Sequence, residues 1–443
     1  MTLGDGRRMT PGDERRMTLG VIADDFTGAT DVASMLVRAG MRTVQVIGVP
    51  GDGSGTGLQA DAVVVALKTR TVPALEAIRE SLAALRWLQA AGMRQCYFKY
   101  CSTFDSTPAG NIGPVTEALM HALGADFTVA CPAFPENGRT IFRGHLFVGD
   151  ELLSDSGMRQ HPLTPMTDAN LVRVLQAQCK RRVGLLRHDV VAQGAAAVRE
   201  RIDALRLEGI SIAVTDAIDN TDLRVLAAAC ADLKLLTAGS GLALGLPAVY
   251  AERGWLTPDA SAAELAPAGG AAAVLAGSCS VATNAQVQCW RQAGRPAFAI
   301  DPRALARGEP VAAQAVAWAR ARLPGDAVLV YATASAADLK AVQSELGAMR
   351  AGSLVEDCLA QVAGGLVEAG VRRLVVAGGE TSGAVVQALG VTRLRIGPAI
   401  CPGVPWTQAD GRPPGAPLHL ALKSGNFGGP DFFDEALRSS TAS

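Results

Sequence analysis

Aromatic residues make up only 5% of the chain and charged ones 19%, and acids and bases nearly cancel, to a formal net charge of -1. Nucleic acid usually draws a basic face, so it is not an expected partner. No uninterrupted apolar run approaches the length of about eighteen residues that reads as a spanning helix, so no membrane association is predicted. Residues 1–17 carry arginines but no apolar core, which argues against a secretory signal. Met1-Thr-Leu-Gly returns at Met17, so this stretch reads as a disordered leader. The nine cysteines include no CxxC pair. Their odd, scattered placement suits a reduced, cytoplasmic protein. The five histidines show neither HxH nor HExxH spacing, so no dedicated zinc site is expected. A GxSxG elbow is missing, which leaves serine hydrolase chemistry without support. The Walker A motif and a GxGxxG fingerprint at the first strand are also missing.

What is present is an abundance of small and apolar residues: 49% hydrophobic and 48 glycines in 443 residues. That length exceeds one ordinary core, and the mixture favours close-packed α/β layers. Strand, acidic loop, helix and strand follow one another over 19–49, before a glycine-rich loop at 51–57. Further strands are predicted at 61–70, 96–100, 127–133, 183–188, 210–217 and 233–239, with helices at 73–91 and 114–123. Residues 141–157 read as a hairpin or an excursion from the sheet. A second unit repeats the pattern from Ala271, with strands at 296–301, 327–333 and from 372 onward. Strands separated by helices imply parallel pairing. The expectation is two α/β domains with largely parallel sheets and an interdomain active-site cleft: an N-terminal domain over 18–257, an Ala-, Pro- and Gly-rich linker over 258–272, and a C-terminal domain over 273–443.

In the first domain the polar residues fall after strands, where open α/β sheets form their ligand crevice. Asp24 and Asp25 follow the first strand, with Asp31 six positions on. Either they cap and hold the turn, or one of them, Asp25 for preference, acts as a base with Asp24 beside it. Arg70, Lys99 and Arg139 are cations at strand ends that suit an anionic small substrate. Asp105, Ser106, Thr107 and Asn111 offer the donors and acceptors that a polyol needs.

Three turns of the second domain share a design: Gly277-Ser-Cys-Ser280, Gly378-Gly-Glu-Thr-Ser-Gly383 and Lys423-Ser-Gly-Asn-Phe-Gly428. Each follows a predicted strand. Glycine admits a ligand close to the backbone, and helix N-termini offer free amides to phosphate. Any one turn alone is equally an ordinary strand–helix connection, and Lys423 is equally a phosphate partner or a surface lysine.

Asp24-Asp-Phe-Thr-Gly-Ala-Thr-Asp31, Lys99 with Asp105-Ser-Thr107, Gly378-Gly-Glu-Thr381 and Lys423-Ser-Gly-Asn-Phe-Gly428 together resemble the four-carbon acid sugar kinases, from about residue 18 to the C-terminus. The resemblance implies an N-terminal domain holding the acid sugar, a C-terminal domain holding ATP with Mg²⁺, and phosphoryl transfer between them. It is closer to the 3-oxo-tetronate 4-kinase branch, through residues 100–113 and 131–140. Sister threonate and erythronate kinases carry Leu-Arg where Pro108-Ala109 stands, so Arg139 or Arg70 is expected to take over that grip. By the same resemblance Ser278, Gly378, Gly379, Glu380, Thr381 and Gly425 are expected ATP contacts, with Lys423 as a further candidate. Metal ligands are not assigned, and the assembly state is left open, a homodimer included. The rivals are a D-threonate or D-erythronate kinase and, from another class, a non-catalytic nucleotide-binding regulator. An NAD-dependent dehydrogenase is disfavoured by its missing fingerprint.

Overall fold

The computed structural model describes residues 17–51, 60–161, 163–410 and 417–439. The expected leader (bar Met17) and nearly all of the 51–57 loop lie outside the described residues. Among the described residues eighteen strands run in chain order. The first eleven are β1 (Leu19–Ala23), β2 (Thr43–Ile47), β3 (Ala62–Ala66), β4 (Gln95–Lys99), β5 (Thr128–Cys131), β6 (Arg139–Phe142), β7 (His145–Val148), β8 (Glu151–Leu152), β9 (Val183–Leu186), β10 (Ile212–Thr215) and β11 (Leu235–Ala238). The remaining seven are β12 (Ala271–Ala276), β13 (Ala297–Ala299), β14 (Val328–Tyr331), β15 (Val371–Ala377), β16 (Arg393–Cys401), β17 (Val404–Asp410) and β18 (Leu418–Lys423).

All five residues of β1 and of β3 are buried, as unbroken apolar strands covered on both faces should be. The N-terminal strands pair in parallel in the order β2-β3-β1-β4-β11-β5-β10-β9. The C-terminal strands open with the same arrangement, β13-β14-β12-β15-β18. In both halves the second strand lies two places from the first, the third fills the gap between them, and the chain then crosses to the other side. Such a switch point leaves a crevice at the carboxyl ends of the central strands. Asp24 and Lys99 stand at one crevice, Gly277 and Gly378 at the other.

Two features depart from the expected separate, parallel sheets. Strands β16 and β17 form an antiparallel hairpin that pairs with β18 on one side and, through β16, antiparallel with β2 on the other. Fifteen strands thereby make one continuous mixed sheet. Its join is real packing, because Ile396 of β16 is fully buried within the N-terminal core. The hairpin escaped sequence reading because Pro398, Pro402 and Pro405 interrupt its apolar pattern and register shifts break its ladder at Ile396–Ala399 and Ala399–Cys401. The excursion after β5 is a small antiparallel sheet, β6-β7-β8. Among the described residues all nine cysteines are free and no helix is long and apolar enough to cross a membrane.

Candidate active site

Asp25 is the N-cap of the first helix, α1 (Phe26–Arg38), and its Oδ1 accepts the Gly28 amide at 3.0 Å. Both sequence readings of this residue therefore meet in one side chain. Oδ1 also accepts from Arg70 Nη2 at 2.7 Å, while among the described residues Oδ2 accepts only the Thr27 hydroxyl, at 2.8 Å. Burial alone would raise the Asp25 pKa, but Arg70 and Lys99 outweigh it and the net shift is downward. Asp25 is thus a carboxylate throughout the neutral range.

Arg70, expected to hold substrate, has its guanidinium engaged by acids. Its Nε and Nη2 grip Asp24 through paired bonds of 2.9 and 2.8 Å, and Nη1 lies 3.5 Å from Asp105. Burial works to lower its pKa, yet Asp24 and Asp25 drive it well above the ordinary value, so the guanidinium stays charged. Asn111 is likewise occupied: its amide donates to the carbonyls of Thr69 and Val72, both at 2.8 Å, and so holds the Arg70 loop in place. Asp105 follows Phe104 in a pair of left-handed residues, φ 44° and 65°, held by a 2.7 Å bond from Thr103. Two such non-glycine residues in succession are strained, and buried Phe104 packed edge-on to Tyr100 keeps them there. Gln178, absent from the sequence expectations, ties down the neighbouring loop by donating to Ser106 Oγ at 2.9 Å and to the Thr107 carbonyl at 2.6 Å.

Lys99 and Asp31 have a different character. Lys99, 3% exposed, ends β4, and no carboxylate of the described residues lies within salt-bridge distance of it, although its charge acts on Asp24, Asp25 and Asp31. Asp31, 4% exposed, accepts from Ser240 Oγ at 2.5 Å through Oδ2, while its buried Oδ1 has no partner among the described residues. Burial, only partly offset by Lys99, pushes its pKa up to about 6. Arg139 faces the same space. It donates to the Asn137 carbonyl, lies 6.0 Å from the Phe427 ring and has no partner for its buried Nε. Of the two arginines proposed for the missing grip, Arg139 is the one not committed to carboxylates. Ser240 could have been suspected, since it follows β11 at the same edge as the other strand-end residues.

In the C-terminal half the three glycine turns touch one another. A Cβ on Gly277 would collide with Thr381 Oγ1, and one on Gly378 would stand 3.2 Å from the Ser278 amide. A Cβ on Gly425 would strike Ser278 Oγ. Gly378, at φ 132°, adopts a conformation that side chains resist, and it caps the helix Gly379–Ala388. Ser280 caps the helix Val281–Gln292 and donates to the Gly425 carbonyl at 2.6 Å. Two helix N-termini and a glycine turn thus gather at one edge, as an anion cradle requires. Two expected contacts differ. Glu380 is ion-paired with Lys68 of the other half at 2.7 Å, and Lys423 is fully buried under its own turn rather than exposed.

The halves face each other here. A Cβ built on Gly379 would stand 3.8 Å from Thr27 Oγ1 and 3.9 Å from Asp25 Oδ2. The cradle therefore opens onto the least committed oxygen of the N-cap acid.

Residues 19–246 match the family described as sugar-binding N-terminal domain, and residues 273–433 the nucleotide-binding C-terminal domain. A Cupriavidus necator 3-oxo-tetronate kinase is 64% identical over 422 residues, covering 95% of this chain and 96% of its own. A Pseudomonas fluorescens 3-oxo-tetronate kinase is also 64% identical, with the same coverage. A solved Salmonella typhimurium LT2 structure, described as a tRNA synthase, is 48% identical with a TM-score of 0.83, covering 96% of this chain and 99% of that one. Likeness of this extent, over both halves, settles the kinship: the chain belongs to the four-carbon acid sugar kinase family, among the 3-oxo-tetronate kinases.

Proposed function

We propose that this enzyme transfers the terminal phosphoryl group of ATP to the 4-hydroxyl of a 3-oxo-tetronate, in the crevice between its two halves. The new bond joins O4 to the phosphorus as the bond to the ADP oxygen breaks, and the hydroxyl proton passes to a carboxylate. The observation that carries this reading is the position of Asp25 Oδ2 opposite Gly379. A nucleotide phosphate on the cradle would meet an acceptor hydroxyl held at that oxygen. Phosphoryl transfer asks mainly for alignment and charge stabilisation, so a carboxylate with a lowered pKa serves, provided that it is ionised and in place.

The acid sugar would sit between Lys99, Arg139 and Asp31. Its carboxylate answers the two cations, and a hydroxyl answers the vacant Asp31 oxygen. Asp24, Arg70, Asp105 and Asn111 hold the wall behind it, with Ser106 and Thr107 at its rim. Ser278, Gly378, Gly379, Thr381 and Gly425 line the nucleotide side. No group of three or more metal-binding side chains gathers among the described residues, which suits Mg²⁺ arriving on the nucleotide as MgATP.

Purified protein with MgATP should release ADP in the presence of a 3-oxo-tetronate generated by a coupled dehydrogenase, and much more slowly with D-threonate or D-erythronate. Faster turnover of the unoxidised acids would reassign the substrate within the family. No ADP release with any of them would end the kinase reading.

A further inference from the structure

Lys423 closes β18, and its side chain turns beneath the loop that follows. Nζ donates to the carbonyls of Ser424 at 3.0 Å, Gly425 at 2.9 Å and Phe427 at 3.0 Å, and lies 3.3 Å from Thr283 Oγ1. Thr283 also donates to the Gly425 carbonyl at 2.9 Å, beside the Ser280 bond. Gln286 Nε2 takes the carbonyls of Phe427, Gly428 and Gly429 at 3.0, 3.1 and 3.0 Å. Five carbonyls of the turn are thus drawn inward by three buried side chains.

A peptide unit carries its N–H opposite its C=O, so carbonyls pulled inward turn amides outward. The Gly425 and Asn426 amides have no acceptor among the described residues. Outward-facing successive amides form an anion-binding concavity, and this one borders Ser278. The ammonium occupies the place that a monovalent cation would take in a carbonyl cage.

Burial pulls Lys423 down to about 7. Cys401 is the titratable group facing it, its own thiol pushed up to about 11 by burial, with Glu435 and Asp31 acting on that thiol in turn. The Phe432 ring lies 5.8 Å away and brings no countercharge. Four acceptors around one Nζ call for an ammonium, and a polyanion settling on the turn would favour that charge further.

We infer that Lys423 is the positioning cation of the nucleotide turn: it orders the amides from below without touching phosphate. This rests on the reading of the C-terminal half as the ATP half.

Calorimetric titration of the full chain with MgATP, beside steady-state kinetics, tests it. Lys423→Met should weaken ATP binding about tenfold or more while leaving the KM for the sugar acid within about twofold. Thr283→Val keeps the lysine but removes one of its acceptors and one bond to the Gly425 carbonyl, and should weaken ATP binding by a smaller factor, which guards against a misfolded methionine variant. An unchanged ATP affinity in Lys423→Met, or a KM for the sugar acid that rises as much as that for ATP, overturns the inference alone. Absence of ATP binding to the wild type overturns the nucleotide reading with it.

Discussion

Lys68 Nζ lies 2.7 Å from Glu380 Oε2, an ion pair running from the loop after β3 to the first turn of the helix Gly379–Ala388. It joins the two halves and quenches a carboxylate beside the anion cradle. Both side chains are about half exposed, 48% and 47%, so the pair adds little to stability. Its value is local charge. Lys68→Met should leave Tm nearly unchanged but raise the KM for ATP about fivefold, the equivalent of about 1 kcal/mol of unmasked repulsion. Adding Glu380→Gln should recover most of that loss. Steady-state kinetics of the two variants check this, and an unchanged KM in Lys68→Met would contradict it.

Asp25→Asn retains a good N-cap residue, so the helix should keep its start. What it loses is the charged oxygen facing Gly379. The expected result is a kcat lower by about 10² to 10⁴, with ATP affinity little changed and a cooperative melt. Turnover near wild type would remove Asp25 from the reaction.

Asp31 should set an acidic limb in the pH profile. Its pKa is raised to about 6, so the charged acceptor is lost as pH falls through that value. The kcat/KM for the sugar acid should drop below about pH 6, and Asp31→Asn should be low and flat over the same range. Folding runs the other way. The folded state binds this proton more tightly than the unfolded chain does, so between about 6 and the ordinary carboxylate value of 3.8 the group's contribution to stability rises as pH falls. Thermal melts recorded alongside the rates separate the two effects, and an identical acidic limb in Asp31→Asn would exclude this residue as its source.

Glycines in two settings make a paired test. Gly425→Ala places a methyl against Ser278 Oγ and should raise the KM for ATP about tenfold or more. Gly364→Ala, within the helix Ala348–Glu368, meets nothing within 4 Å and should stabilise by about 0.5–1 kcal/mol without altering kinetics. A Gly425→Ala enzyme with a normal KM would show that the turn yields, against the rigid cradle.

Much of this arrangement is legible from residue order. Apolar runs ending in Asp24, Lys99, Gly277 and Gly378 declare parallel strands with polar tips, because a buried strand must be uniformly apolar and its end is where polarity can return. Partner choice is not legible. Nothing in the sequence tells that Arg70 spends its guanidinium on Asp24 and Asp25 while Arg139 keeps its own for the opening, since both are simply cations after strands. Ser240 and Gln178, which fix Asp31 and the Ser106 loop, are distant in sequence from what they hold. The left-handed Phe104–Asp105 pair is imposed by packing and has no glycine to announce it. The Arg393–Asp410 hairpin was hidden by its prolines.

Pairing between β2 and β16, with Arg393, Leu394 and Arg395 opposite Val46, Gln45 and Val44, gives the enzyme a common spine. Swinging the lobes apart about residues 258–272, like jaws on a strap, would rupture backbone bonds that water could replace only by flooding the seam around Ile396. Substrate entry and product escape would then fall to the strand-end turns and not to a hinge between the lobes. A kinase built this way guards its phosphoryl group from water chiefly by the fit of those turns around the acid sugar, so a poorly fitting acid should leave ATP exposed to futile hydrolysis.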